Sequence, residues 1–196
     1  MASGVDRYER SSDTTVMLHV RWGDELAFAE LYRRYYRKLM NFFYGMSRNV
    51  QISEDLCQET FLRLWRLRGR YTASGSFPAY LFAFARNVWL EKQRKTKRRR
   101  RFESLRSVDE NCETVAARPL SHPDEIAASS ELEQRIFDAL DELPEEQRMV
   151  FVMRNIEGVS IAEIASVMQC PINTVRSRKI LAVKKLRLAL KGLRVP

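Results

Sequence analysis

Apolar residues recur at steps of three and four through most of this chain, and the places where they stop mark its organisation. From Asp24 the stripe Phe28, Leu31, Tyr35, Leu39, Phe42 and Phe43 predicts a long amphipathic helix, with Gly45 offering a stop. "ISEDLCQETFLRLW" (52–65) predicts a second helix, with Ser53 as N-cap and Glu54 and Asp55 in a first turn where the helix dipole favours negative charge. "RGRYTASGSF" reads as a loop, and Pro78 opens a third helix, "PAYLFAFARNVWLEKQRK". No strand-like alternation stands out. Residues 1–14 are polar and without period, so a frayed tail is expected there.

From 99 to 128 the stripe breaks around Pro119 and Pro123, as in a flexible linker; a short helix around Phe102–Val108 is the alternative. Helical punctuation then returns. "ELEQRIFDALDEL" is followed by a helix opened by Pro144 and closed by Gly158. "SIAEIASVM" carries a capping box of Ser160 and Glu163. After a break at Gln169–Cys170, Pro171 opens a long basic helix on which Ile172, Val175, Ala182 and Leu186 form the inner stripe. The expected fold is all-α: an N-terminal helical bundle (15–98), an acidic linker (99–128) and a C-terminal helix-turn-helix domain (129–196). Each block is small, so its own core is marginal and a large partner would add stability.

Charge sharpens this division. The chain carries +9 overall, but residues 1–101 hold 21 Lys/Arg against 10 Asp/Glu, whereas 102–128 hold 2 against 6. Eight basic residues and no acid lie within 176–194, and "KQRKTKRRRR" puts eight more into 92–101. Two basic blocks around an acidic connector favour a polyanion, most simply nucleic acid. On the last helix Asn173, Thr174, Ser177, Leu181 and Lys184 face away from the inner stripe, with Arg176 and Arg178 on its shoulders. Short polar side chains and Arg near a helix start suit base edges and phosphates in a major groove.

The remaining chemistry is sparse. Cys57, Cys112 and Cys170 are far apart and only His19 and His122 accompany them, so no zinc-type ligand cluster can be read and no metal or other cofactor is expected. No paired carboxylates or phosphate-cradling Gly loop point to catalysis, so no catalytic residue is assigned and an enzyme is not expected. No run approaches a membrane span in length, and the cysteine usage suits a reducing cytoplasm.

The ordered set "GDELAFAELYRRYY", "EDLCQETFLRLW" and "FPAYLFAFARN", followed by "LPEEQRMVFVMRNIEGVSIAEIASVMQCPINTVRSRKILAVKKLR", resembles the extracytoplasmic-function group of bacterial RNA polymerase sigma factors. These stretches cover roughly 20–98 and 130–190. The resemblance implies a non-enzymatic initiation factor that joins core RNA polymerase and recognises the −10 and −35 promoter elements. It places polymerase docking, chiefly on the β′ clamp helices, at Asp55, Gln58, Glu59, Phe61 and Trp65, although Phe61 is also a natural core residue. It places −10 recognition at Arg70, Tyr71, Ser76, Phe77, Tyr80, Arg86, Asn87, Arg94 and Lys95, where the aromatics could either stack on bases or fill the core. The −35 duplex falls to Asn173, Thr174, Arg176, Ser177, Arg178, Leu181 and Lys184. The β flap is a further polymerase contact, and the acidic linker is expected to thread toward the RNA exit path. An anti-sigma factor, membrane-tethered in many relatives, is an expected partner of a chain that is not itself a membrane protein. Glu91 stands where relatives often carry Asp, and Leu181 and Val183 where they often carry Arg. A stand-alone helix-turn-helix regulator would share the C-terminal half but has no use for the docking helix.

Overall fold

A computed structural model describes residues 6–106 and 129–191. Eight α-helices and no strand occur among these residues. The first block holds α1 (Asp13–Arg21), α2 (Glu25–Ser47), α3 (Val50–Arg66) and α4 (Phe77–Arg106). The second holds α5 (Ser129–Asp141), α6 (Glu145–Phe151), α7 (Ile161–Met168) and α8 (Ile172–Ala189).

The expected frayed tail is corrected over residues 6–14. Ser12 caps α1, which buries Val16, Met17 and Val20. Arg34 of α2 ties down the approach to it, donating to Tyr8 O at 2.6 Å, Ser11 O at 2.9 Å and Asp13 Oδ1 at 2.6 Å. Tyr8 is buried and donates its hydroxyl to Asp24. Residues 1–5 lie outside the described region.

Three expected boundaries also move. The second predicted helix starts earlier, because Asn49 rather than Ser53 is its cap: Ile52 N donates to Asn49 Oδ1 at 2.9 Å, while Ser53 sits inside α3 with its hydroxyl on Asn49 O. Gly45 does not stop α2. A Cβ there would meet Val152 at 3.0 Å, so glycine serves close approach, and α2 ends instead at left-handed Arg48. Finally, α4 runs through the basic run to Arg106, eight residues beyond the expected break at 98. Lys and Arg are good helix formers, and absent Pro or Gly nothing in that run ends a helix. The rest of the linker, 107–128, lies outside the described residues.

In the second block Ser160 and Glu163 form the expected capping box, with Ser160 N donating to Glu163 Oε2 and Glu163 N to Ser160 Oγ. Gln169 takes the left-handed conformation that turns the chain from α7 into α8. Between α6 and Gly158 the helix widens into a π turn, Val152–Ile156. Ile172, expected on the inner stripe, is exposed, whereas Val175, Ala182 and Leu186 are buried as expected.

The two helical units do not stand apart. One apolar cluster runs from Val16 and Phe42 through Leu81 and Trp89 to Val152, Ile164 and Val175. α7 lies against α4, and α6 and the π turn against α2. At the seam Tyr44 meets Phe137 edge-on, and the Arg48 guanidinium lies 3.7 Å from the centre of the Phe137 ring. Trp89 Nε1 donates to Glu145 Oε1 at 2.5 Å. Each small core therefore gains a partner in the other block.

Candidate functional site

α3, where polymerase docking is expected, has a buried and an open face. Leu56, Cys57, Phe61 and Leu64 are buried, while Asp55 and Gln58 point into solvent. Glu59 is half-buried and accepts from Arg63 at 2.6 Å, and Arg63 also grips Glu91 of α4 through two 2.7 Å bonds. Glu91 is consequently held below the usual glutamate range, chiefly by that hydrogen-bonded pair. The departure from Asp to Glu at 91 thus has a structural use here: the longer side chain spans α4 to α3.

Phe61 is 3% exposed, so it belongs to the core more than to any surface. It nevertheless floors a groove between α2 and α3, lined by Phe28, Tyr32, Leu62 and Trp65 and rimmed by Glu25 and Gln58. Sequence reasoning missed the α2 wall. Its signal was the aromatic pair Phe28 and Tyr32, four apart on one helix face. Trp65 packs at a tilt on Phe28, and the Arg68 guanidinium lies 4.2 Å from its ring centre.

The expected −10 residues split into two sets. Tyr71 and Phe77 are each 1% exposed, packed against Tyr80 and Tyr35 respectively. Of the two readings open to these aromatics their burial fits the core one, because a loop so short of apolar residues needs them to hold it down. Arg70, Asn87, Arg94 and Lys95 are exposed, and Tyr80 and Arg86 half-buried. Arg86 Nε is buried with no hydrogen-bond partner among the described residues. Ser76 caps α4 by accepting from Ala79 N at 3.3 Å, and its hydroxyl also meets the Glu163 carboxylate of α7.

On α8 the seven expected −35 residues share one open side. Asn173, Arg176, Ser177, Leu181 and Lys184 are exposed, and Thr174 and Arg178 half-exposed. Arg176 bonds back to Asn173 at 3.3 Å, and Arg178 pairs with Glu146 of α6 and approaches Cys170 Sγ. Arg178 is thereby positioned by its own domain. Cys57 is buried, and loss of solvation pushes its thiol up to about 12, which leaves it unreactive. No group of metal-ligating side chains and no helix able to cross a membrane occurs among the described residues.

The comparisons with known proteins follow the same partition. Residues 31–99 match the family described as Sigma-70 region 2, and residues 133–186 match Sigma-70, region 4. The ECF RNA polymerase sigma-E factor of Escherichia coli (strain K12) is 32% identical over 174 residues, 87% of this chain and 90% of that protein. The RNA polymerase sigma-H factor of Pseudomonas aeruginosa is 29% identical over 188 residues, 94% of this chain and 96% of its own. Among solved structures, the sigma factor RpoE in complex with the anti-sigma factor NepR from Bartonella quintana aligns with a TM-score of 0.66 at 26% identity, covering 85% of this chain and 98% of that one. CnrH in complex with the cytosolic domain of CnrY shares the fold, with a TM-score of 0.67 at 21% identity over 93% and 99% of the two chains. With both sigma regions in order along one all-helical chain, and a relative of this identity over nearly its whole length, the protein belongs to the extracytoplasmic-function group of RNA polymerase sigma factors.

Proposed function

We propose that this sigma factor works through three separate faces, each assigned to one task in promoter-specific initiation. Core RNA polymerase is held by the outer side of α3, where Asp55 and Gln58 are exposed and Gln58 rims the aromatic groove. Carboxylate and amide groups next to half-buried aromatics provide the polar rim and apolar anchor of a protein interface. The −10 element is met by Arg70, Ser76, Arg86, Asn87 and the cationic track through Arg94 and Lys95, and the −35 duplex by α8. No step in this scheme makes or breaks a covalent bond: binding energy on the polymerase and on two DNA elements is enough. An anti-sigma factor is the fitting antagonist, as in the RpoE–NepR complex, and its tethering to a membrane would place the chain at the cytoplasmic surface.

The observation that carries this reading is the exposed polar face of α3. A regulator acting on DNA alone would have no reason to keep Asp55 and Gln58 exposed beside an apolar groove. The test is co-elution of the purified chain with bacterial core polymerase, followed by footprinting on genomic promoter fragments. Asp55→Arg combined with Gln58→Ala is expected to abolish co-elution while the helical circular-dichroism signal persists. Normal binding by that variant overturns the docking assignment, and footprinting without core makes the chain a stand-alone regulator.

A further inference from the structure

The seam between the two blocks covers part of the face assigned to the −10 element. Glu163 holds the Ser76 hydroxyl, Glu145 holds Trp89 on the same helix as Arg86 and Asn87, and α7 lies along α4. The α8 face and the α3 face are left open. Even α4, the longest helix of the described residues at 30 residues, spans only about 45 Å. The −10 and −35 elements lie about 85 Å apart along straight B-form DNA. The arrangement in this structure cannot reach both, so the seam must part when the promoter is bound.

One group in that seam is ill-suited to being there as an anion. Glu157 ends the π turn, and its Oε1 is buried with no hydrogen-bond partner among the described residues. Across the seam, α2 presents Asn41, which bonds the carboxylate, and the cations Arg37 and Lys38. The charged groups of the other elements packed on the π turn are engaged elsewhere. On α6, Glu145 meets Trp89, Glu146 meets Arg178 and Arg148 meets Asp141; on α7, Glu163 meets Ser160 and Ser76. Burial is the largest influence on Glu157, and it outweighs Asn41, Lys38 and Arg37 to push the carboxyl up to about 7 from an ordinary 4.5.

We propose that the seam is a proton-linked latch in which Glu157, shut between the two blocks, ties closure to pH. This rests on the assignment of the −10 face above, but the linkage itself does not. The raised group binds its proton more tightly in the closed molecule than in the open one, where the carboxylate regains water. Closure is therefore favoured below about 7 and loses that support as pH rises through it. With an open-state value near the ordinary 4.5, the closed-to-open ratio falls about tenfold between pH 6 and pH 8. A rise in pH would thus loosen the seam over Ser76 and along α4 without any second protein.

The experiment uses the full chain and involves neither polymerase nor DNA, so it can fail independently of the functional reading. Carbon-13 NMR of side-chain carboxyls, with Glu157 assigned by its loss in Glu157→Gln, is expected to show that group titrating well above the other glutamates. Titration together with the surface glutamates overturns the latch. A second readout uses Gly45→Ala, whose added methyl crowds Val152 and raises the open population. Small-angle scattering of that variant is expected to give a larger mean radius at pH 8 than at pH 6, and adding Glu157→Gln removes the difference at the smaller value. A radius insensitive to pH, or a pH response that survives Glu157→Gln, also overturns it.

Discussion

Arg33 and Arg34 are adjacent in sequence and share one acceptor, Glu30, yet they hold different amounts of structure. Arg33 pairs with Glu30 from a side chain that is 56% exposed, whereas Arg34 is 19% exposed and also carries Asp13 and three backbone carbonyls. Arg34→Gln is expected to cost about 2 kcal/mol in urea unfolding, because it leaves buried Glu30 with Arg33 alone and releases the N-terminal segment. Arg33→Gln should cost under about 1 kcal/mol, as for other solvated pairs. Glu30 is held below its ordinary 4.5, first by the Arg33 hydrogen bond, against the opposing cost of burial and with Arg34 assisting. A lowered carboxylate stabilises the fold above its unfolded value and gives that stability up as pH falls through the folded one. The difference between the wild type and Arg34→Gln should accordingly shrink as unfolding is followed downward from pH 5. None of this was legible in the sequence, where "ERSSDTT" reads as polar and aperiodic. The apolar trio Val16, Met17 and Val20 was the available signal, and nine residues are too short a helix to show a sustained period.

At the scale of the element, the predicted pieces and their caps differ in how readily local pattern defines them. α7 was readable because both halves of its capping box are local, and Ser160→Ala is expected to lower thermal stability by about 1 kcal/mol. Gly45 was misread because its reason is not local: only the approach of Val152 from the other block explains it. Tyr71 and Phe77 stayed open between bases and core for the same cause, since sequence places them in a loop but cannot say that the loop is pinned by them. The face of α8 was legible from Val175 onward, because the buried stripe of Val175, Ala182 and Leu186 leaves the other side open, whereas Ile172 at its start is exposed. Two substitutions there should separate two kinds of contact. Asn173→Ala is expected to cost about 1–3 kcal/mol at a −35 site and to relax preference at one base pair, read by competition binding of the holoenzyme. Lys184→Ala should weaken binding evenly across sequences and lower the salt slope by about one.

For the whole molecule, the same seam both stabilises two small cores and covers an edge of the face proposed for the −10 element. Those demands conflict, and the polar bonds at its edge show how the conflict is managed. Trp89 meets Glu145, Arg48 meets Asp141 at 3.5 Å, and Glu163 meets Ser76, all groups that water can satisfy once the blocks part. Trp89→Phe should keep the apolar contact and lose the bond, so scattering should register more open molecules with little change in the unfolding of the first block. The partition into two units was legible from the break in periodicity, and the match of each to its own sigma region agrees with it. Their mutual packing was not, because no residue pattern within one unit announces which surface of the other it will meet.

The length of α4 carries a consequence of a different sort. Thirty helical residues make a rod of about 45 Å, rooted by Phe77 and Leu81 in the core and ending in a run with eight cations in ten positions. Like charges three and four apart repel, so the far end of the rod works against its own helicity whenever nothing screens it. It behaves as a polyelectrolyte under load. Added salt should lengthen the helix of the free protein, seen as a deeper 222 nm band. A phosphate backbone laid along it would do the same by neutralisation. Part of the free energy of binding would then go into winding up the protein, so raising salt would weaken the DNA contact and relieve that winding cost at once.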